Sequence, residues 1–200
     1  AEDVRARVHL PALGLLGRHV LDSANNGAGF GQGSRAGPRV GGALGGVVAG
    51  VMMVGATNED WEDLAWANGR LWVGDIGDNE RDRSVIQVYS FPEPSDRSVT
   101  SVHATIARLR YEDGPHDAEA MFVDPRDEHL YVIEKQLTQP ESAVYAVPVR
   151  EVRPGEVGVL RLVARVPLSI VTAADLGPAG IVVRNYPAAQ YSVRAIRESD

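Results

Sequence analysis

Asp60-Trp61-Glu62-Asp63-Leu64-Ala65, His116-Asp117-Ala118-Glu119-Ala120-Met121 and Thr172-Ala173-Ala174-Asp175-Leu176-Gly177 place Asp63, Glu119 and Asp175 at a constant spacing of 56 residues. A second landmark, Val88-Tyr89-Ser90-Phe91-Pro92, returns as Val144-Tyr145-Ala146-Val147-Pro148, again 56 residues on. Two independent markers sharing one period indicate an internal repeat, which directs the fold toward architectures built by stacking like units.

Within each unit, short runs of β-branched and aromatic residues alternate with turn residues. The first unit carries strand signals at 63–66, 71–75, 85–91 and 105–111, and the second at 119–123, 130–134, 143–149 and 159–166. The third has signals at 175–176, 181–184 and 191–196, without a fourth. Asn68-Gly69 supplies the left-handed backbone of a tight hairpin. Asp124-Pro125 and Gly177-Pro178 mark the equivalent turn in the other units. Four strands at this period describe the blade of a β-propeller. Doubly wound and barrel α/β folds need amphipathic helices between strands, and no helical periodicity of adequate length follows residue 57. The expected fold is therefore all-β: a partial β-propeller of about three four-stranded blades over residues 57–200.

Residues 1–56 are different. They hold five arginines against three acids, a balance of +2 that leaves −9 for the remainder of a chain of net charge −7. Phe30 is the one aromatic residue before position 57, and eleven of the 21 glycines fall between Gly27 and Gly55. A segment with so few aromatic anchors and so much backbone entropy is expected to be irregular and poorly structured. The exceptions are a short helix around Leu13–Leu21 and a strand from Val47 to Val54 that would extend the edge of the first blade. Its Ala-, Gly-, Arg- and Val-rich composition fits a disordered leader or, somewhat better, a frame-shifted remnant of lost blades.

The longest apolar stretch, Ala43–Gly55, is too short to span a bilayer, and no secretory signal is visible. There is no cysteine, which excludes disulfides, thiolate chemistry and cysteine-ligated zinc. The negative charge argues against nucleic acid and anionic membranes as partners.

The segments Asn58–Ala65, Val73–Asn79 and Asp113–Ala120 resemble a group of bacterial, usually exported β-propeller proteins, distantly related to the WD-repeat-like, NHL-like and phytase-esterase-like propellers. The resemblance covers residues 57–196. It implies an extracellular or cell-envelope location and leaves activity undefined. Three blades do not close a ring, so open blade edges and self-association through them are expected.

In a propeller the first strand of each blade lines the central channel, so Glu62, Asp63, Glu119 and Asp175 are expected to converge near its mouth. Oxygen ligands from several blades suit Ca²⁺. The competing expectation is that these acids accept backbone hydrogen bonds and pair with Lys135 and Arg184. His116 adjoins Asp117 and Glu119, and Trp61 adjoins Glu62. Trp61, His116, Lys135 and Arg184 are therefore the candidate ligand-binding residues. The acidic run Asp75–Asp82 fails as a calcium loop, because Arg83 stands where glycine is needed and Tyr89 where the bidentate Glu belongs. No nucleophile elbow or dinucleotide loop is present. These features favour a noncatalytic exported propeller that binds a small ligand, glycan or protein at the channel mouth. The alternatives are a calcium-dependent hydrolase of phosphoester or lactone-like substrates, and an inactive incomplete propeller.

Overall fold

The computed structural model describes residues 6–10, 49–95, 101–177, 180–185 and 191–194. Among them every regular element is a strand, apart from one 3-10 turn at Val149–Glu151. The helix expected around Leu13–Leu21 lies outside the described residues. Among the described residues of 1–56 there are two strands: β1 (Ala6–Leu10) and β2 (Ala49–Val54). They pair antiparallel, and β2 also pairs in parallel with the short β6 (Ser101–His103). The apolar run around Val47–Val54 thus yields a strand, but its partners are β1 and β6 rather than the edge of the first expected blade.

The centre of the molecule is one eight-stranded sheet. It begins as a meander of β3 (Trp61–Ala67), β4 (Arg70–Asp75), β5 (Ile86–Pro92) and β7 (Thr105–Tyr111). A second meander contains β8 (Ala118–Asp124), β9 (His129–Glu134), β10 (Ser142–Pro148) and β11 (Val157–Val166). The two join where β7 and β11 run parallel, with Arg108–Tyr111 beside Val157–Leu160. At the other ends of the sheet β3 and β8 pack together, so the sheet nearly closes on itself like a barrel. A third sheet of β12 (Val171–Gly177), β13 (Gly180–Asn185) and β14 (Tyr191–Arg194) follows.

The apolar residues fall into three layers between these sheets. Met53, Leu64, Val73, Tyr89 and Phe91 lie between the β2–β6 sheet and the first meander. Trp72, Ile86, Leu109, Met121, Val132 and Tyr145 fill the space between the two meanders. Phe122, Ile133, Val144, Val171 and Ile181 lie between the second meander and the third sheet. Both faces of each meander are therefore covered, which is why β8 and β10 read as almost continuous buried runs instead of strict alternation. The β3–β4 turn uses Asn68 at φ 50° and Gly69 at φ 70°, the left-handed pair a two-residue hairpin requires.

β3, β8 and β12, the first strands of their sheets, pack against one another. Each carries a bulge, falling at Glu62, Glu119 and Thr172 respectively. Aligned on these bulges, Glu62 corresponds to Glu119 and Thr172, with spacings of 57 and 53 residues. The 56-residue spacing of Asp63, Glu119 and Asp175 is therefore not the structural correspondence. Loop residues count toward a sequence spacing but not toward strand register, and connections such as the two-residue β3–β4 turn and the four-residue β8–β9 turn differ in length. The Pro92 and Pro148 marker does correspond: each ends the third strand of its meander, opposite Arg70 and His129.

Asp63 is the junction of the three first strands. Its Oδ2 accepts the Met121 N–H of β8 at 2.8 Å and the Ala174 N–H of β12 at 3.2 Å, while Oδ1 accepts its neighbour Leu64 N–H at 2.9 Å. Removing the carboxylate strands buried donors, each costing about 1–3 kcal/mol. Asp63→Ala is expected to lower unfolding stability by about 3 kcal/mol or more. Urea denaturation measures this, and a loss below about 1 kcal/mol would contradict the junction role.

Candidate functional site

At the end of the molecule where β3, β8 and β12 begin, polar side chains replace the apolar layers. The bulges at Glu62 and Glu119 interrupt the pleat and redirect these side chains out of the strand alternation. Glu62 is only 7% exposed. Its neighbours include the carboxyl group of Asp60, which is hydrogen-bonded to it, and the charge of Glu119. Burial first, then repulsion from Glu119 and Asp60 and the Asp60 hydrogen bond, push the Glu62 carboxyl up to about 9, with Lys135 opposing. These influences favour the protonated form of Glu62. Gly77 makes this packing feasible: a Cβ there would collide with the Asp60 and Glu62 carboxyl oxygens.

Lys135, immediately after β9, is the cation of the cluster. Its backbone N–H donates to Asp117 O at 2.8 Å, its ammonium bonds Glu119, and Asp117 Oδ2 lies 3.8 Å away. Burial raises the Glu119 carboxyl above its ordinary value, and the Lys135 bond pulls against that shift. Burial lowers Lys135, but the Glu119 bond and the charges of Glu119, Asp117 and Glu62 outweigh it and hold the ammonium above its ordinary value.

The neighbouring loop between β4 and β5 is self-supporting. Asp78 accepts the Asp82 and Arg83 N–H groups at 3.0 and 2.9 Å, and its own N–H donates to Asp117 Oδ1 at 3.0 Å. Buried Asp75 accepts the Glu59 and Asp60 N–H groups and pairs with Arg83 at 3.0 Å. The acidic run Asp75–Asp82 thus spends its Asp75 and Asp78 carboxylates on backbone donors, as a structured polar loop.

Beside it stands a second network. His116 places Nδ1 3.2 Å from Glu134 and Nε2 3.0 Å from Asp113. The Tyr145 hydroxyl lies 2.8 Å from His116 Nε2 and 2.9 Å from Asp113 Oδ2. Tyr111 and Tyr145 pack edge-on, with ring centres 4.9 Å apart, and the Tyr111 ring meets His116 at 5.0 Å. Arg81 reaches across from the β4–β5 loop to Glu134 at 3.1 Å. Burial of His116 acts to lower its pKa, but the bonds to Glu134 and Asp113 prevail and raise it. Both carboxyls are held below their ordinary values by the imidazolium, against the upward pull of their burial.

The structure brings Glu62, Glu119, Lys135 and His116 to this end of the sheets. Asp63 is there too, but its two oxygens serve three backbone donors, and burial pushes its carboxyl up to about 8 despite them. Asp175 accepts the Leu176 N–H at 2.8 Å, and its charge adds to the rise at Asp63. Arg184 donates to the Thr172 hydroxyl at 3.0 Å, next to the third bulge. Trp61 packs its ring against Tyr89 at 5.9 Å and donates its indole N–H to Thr57 O. Asp60, Asp117, Asp113, Glu134 and Tyr145 belong to these clusters and were not among the sequence candidates. One signal was available: Asp75 and Glu134 are acids ending the second strand of successive meanders, opposite Trp61 and Ala118.

In this arrangement the oxygens of the candidate Ca²⁺ ligands Glu62, Asp63, Glu119 and Asp175 meet other partners. Asp63 accepts backbone donors, Glu119 pairs with Lys135, and Glu62 lies against Asp60. Among the described residues no group of three or more His, Asp or Glu side chains is arranged to hold a metal ion.

In comparisons with known proteins, no family matches the chain and no curated protein matches it significantly.

Two pH effects follow. The folded pKa of Glu62 lies above its unfolded value, so its contribution is most favourable at low pH and declines as pH rises from the ordinary carboxyl range to about 9. Glu62→Gln is expected to match the native protein near pH 5 and to exceed its stability near pH 9 by about 1 kcal/mol or more. Equal stability at both pH values would mean Glu62 is ionised throughout. The raised His116 gives the same sign of slope over another window. Its stabilisation is full below its ordinary 6.5 and lost as pH rises through the folded value. His116→Gln should flatten the stability profile above pH 6.5, measured by thermal melts, and an unchanged profile would show that the ring does not titrate there.

Proposed function

We propose that the chain is a β-propeller-type binding domain, noncatalytic, which takes the cationic group of a small ligand or protein segment at the mouth formed by Glu62, Asp60, Glu119 and Lys135. Two four-stranded meanders, a third sheet on the same pattern and a common line of first strands support reading the units as blades. The exported location rests on the family resemblance alone.

The observation that carries the reading is the crowding of acids around Lys135, which bonds Glu119 while Glu62 and Asp60 lie together against Gly77. Three carboxyl groups, Asp60, Glu62 and Glu119, crowd one place and share a single ammonium, that of Lys135. The excess of acid favours a proton on Glu62, a carboxyl that would ordinarily be ionised. An amine or guanidinium arriving there replaces that proton and gains a charge-assisted bond. Propeller-end loops are suitable for this because the sheets behind them are rigid and their polar groups are already positioned.

A calcium-dependent hydrolase remains the second reading, on the strength of the same acids. It requires the Lys135–Glu119 pair to open.

The binding reading is tested by calorimetry at pH 8 with spermidine, agmatine and arginine methyl ester, each in buffers of different ionisation enthalpy. Binding of at least one, with proton release that vanishes in Glu62→Gln, is expected. No binding at millimolar concentration would refute the reading. A rise in melting temperature with millimolar CaCl₂, abolished by Glu119→Gln, would move the assignment to the metal-dependent alternative.

A further inference from the structure

A cleft of about 340 Å³ opens at the far end of the β8–β9 hairpin, away from the mouth. Its volume is at the small end of ligand pockets, the size for one ring. Ala146 forms its base, opposite Tyr131 in the strand register and only 5% exposed. Tyr131 and Val163 line it as well.

The Tyr131 ring is held in place. It stacks on Phe122 with centroids 4.7 Å apart and planes 8° from parallel, and its hydroxyl donates to Asp127 Oδ2 at 2.6 Å. The other oxygen of Asp127 accepts the His129 N–H at 3.0 Å. At the rim, Arg126 Nε donates to Asp124 at 2.8 Å, fixing a paired carboxylate and guanidinium beside the opening.

The corresponding place in the first meander is occupied. There Ser90 pairs opposite Trp72, and the Arg70 guanidinium donates to the Ser90 hydroxyl at 3.1 Å. In the second meander His129 stands in place of Arg70 and Ala146 in place of Ser90. Loss of that long cation and of the hydroxyl leaves the space as a cleft.

An aromatic and aliphatic wall beneath a rim of fixed hydrogen-bonding groups has the requirements of a pyranose ring. The apolar C–H face of a sugar lies on Tyr131 and Val163, and its hydroxyls meet the carboxylates of Asp124 and Asp127 and the guanidinium of Arg126. The Asp124–Arg126 pair is neutral overall and Asp127 is acidic, which disfavours phosphates and nucleotides. An aromatic peptide side chain would use the wall and leave the rim's hydrogen-bonding capacity unmet. We propose that this cleft binds a neutral hexopyranose unit of a glycan, separately from any ligand at the mouth.

Saturation-transfer NMR with methyl α-D-glucopyranoside, methyl β-D-galactopyranoside and methyl N-acetyl-β-D-glucosaminide tests this, with phenol as the aromatic comparison. Transfer to the ring protons of at least one glycoside is expected. Tyr131→Ala should weaken it about tenfold, the worth of an aromatic contact. Tyr131→Ala also disturbs the Phe122 stack, so Ala146→Leu, which fills the cleft with an apolar side chain, serves as the second variant. It should abolish transfer while the thermal melt stays cooperative. No transfer to any glycoside, transfer that survives Ala146→Leu, or binding of phenol without the glycosides would each overturn the proposal.

Discussion

The fold depends on how three first strands meet without sharing a hydrogen-bonded ladder. β3, β8 and β12 each open a different hairpin, and their backbone donors on the shared side have no neighbouring strand to accept them. Asp63 resolves this by bringing an acceptor from one strand to donors on the other two, Met121 and Ala174. The cost is a carboxyl group with no access to water, displaced well above its ordinary pKa by burial in spite of three backbone donors.

The same geometry generates the polar end of the molecule. Strands that converge bring their starting residues together, and the bulges at Glu62 and Glu119 add acidic side chains to a space too small for both charges. Lys135 pairs with Glu119, while burial and the neighbouring acids raise the Glu62 carboxyl. The binding reading and the pH behaviour are two consequences of that single imbalance. The His116 network is built differently: an imidazole between two carboxylates, with Tyr145 closing the ring and Arg81 joining it to the β4–β5 loop. It ties the connection between the meanders to the second one and leaves the first cluster as the place where charge is unbalanced.

Composition, strand signals and turn chemistry carried the all-β class, and for β3–β5 and β7–β11 they carried nearly every strand, because a buried or half-buried strand has a local signature. Asn68-Gly69 announced its hairpin by the backbone it permits. The acids Glu62, Glu119 and Asp63 were legible as residues of the convergent end, since charged groups at the start of an apolar strand are conspicuous. The pairing of Glu119 with Lys135 was also within reach of the sequence, as one of two expectations.

What the sequence by itself determined was therefore local: which segments are strands, where hairpins turn, and which acids stand at strand starts. Tertiary structure alone decided the register. A bulge moves one residue out of the pleat without altering composition, so the match of Glu62 with Glu119 and Thr172 was hidden behind the 56-residue spacing of other acids. It also decided roles. Asp63 and Glu62 are adjacent acids of similar intrinsic chemistry, yet one became a backbone acceptor at a junction and the other a member of a crowded acidic cluster at a mouth. Neighbours from distant parts of the chain, Met121 and Ala174 for the first and Asp60 and Glu119 for the second, set that difference, and no local pattern encodes distances between strands that touch only after folding.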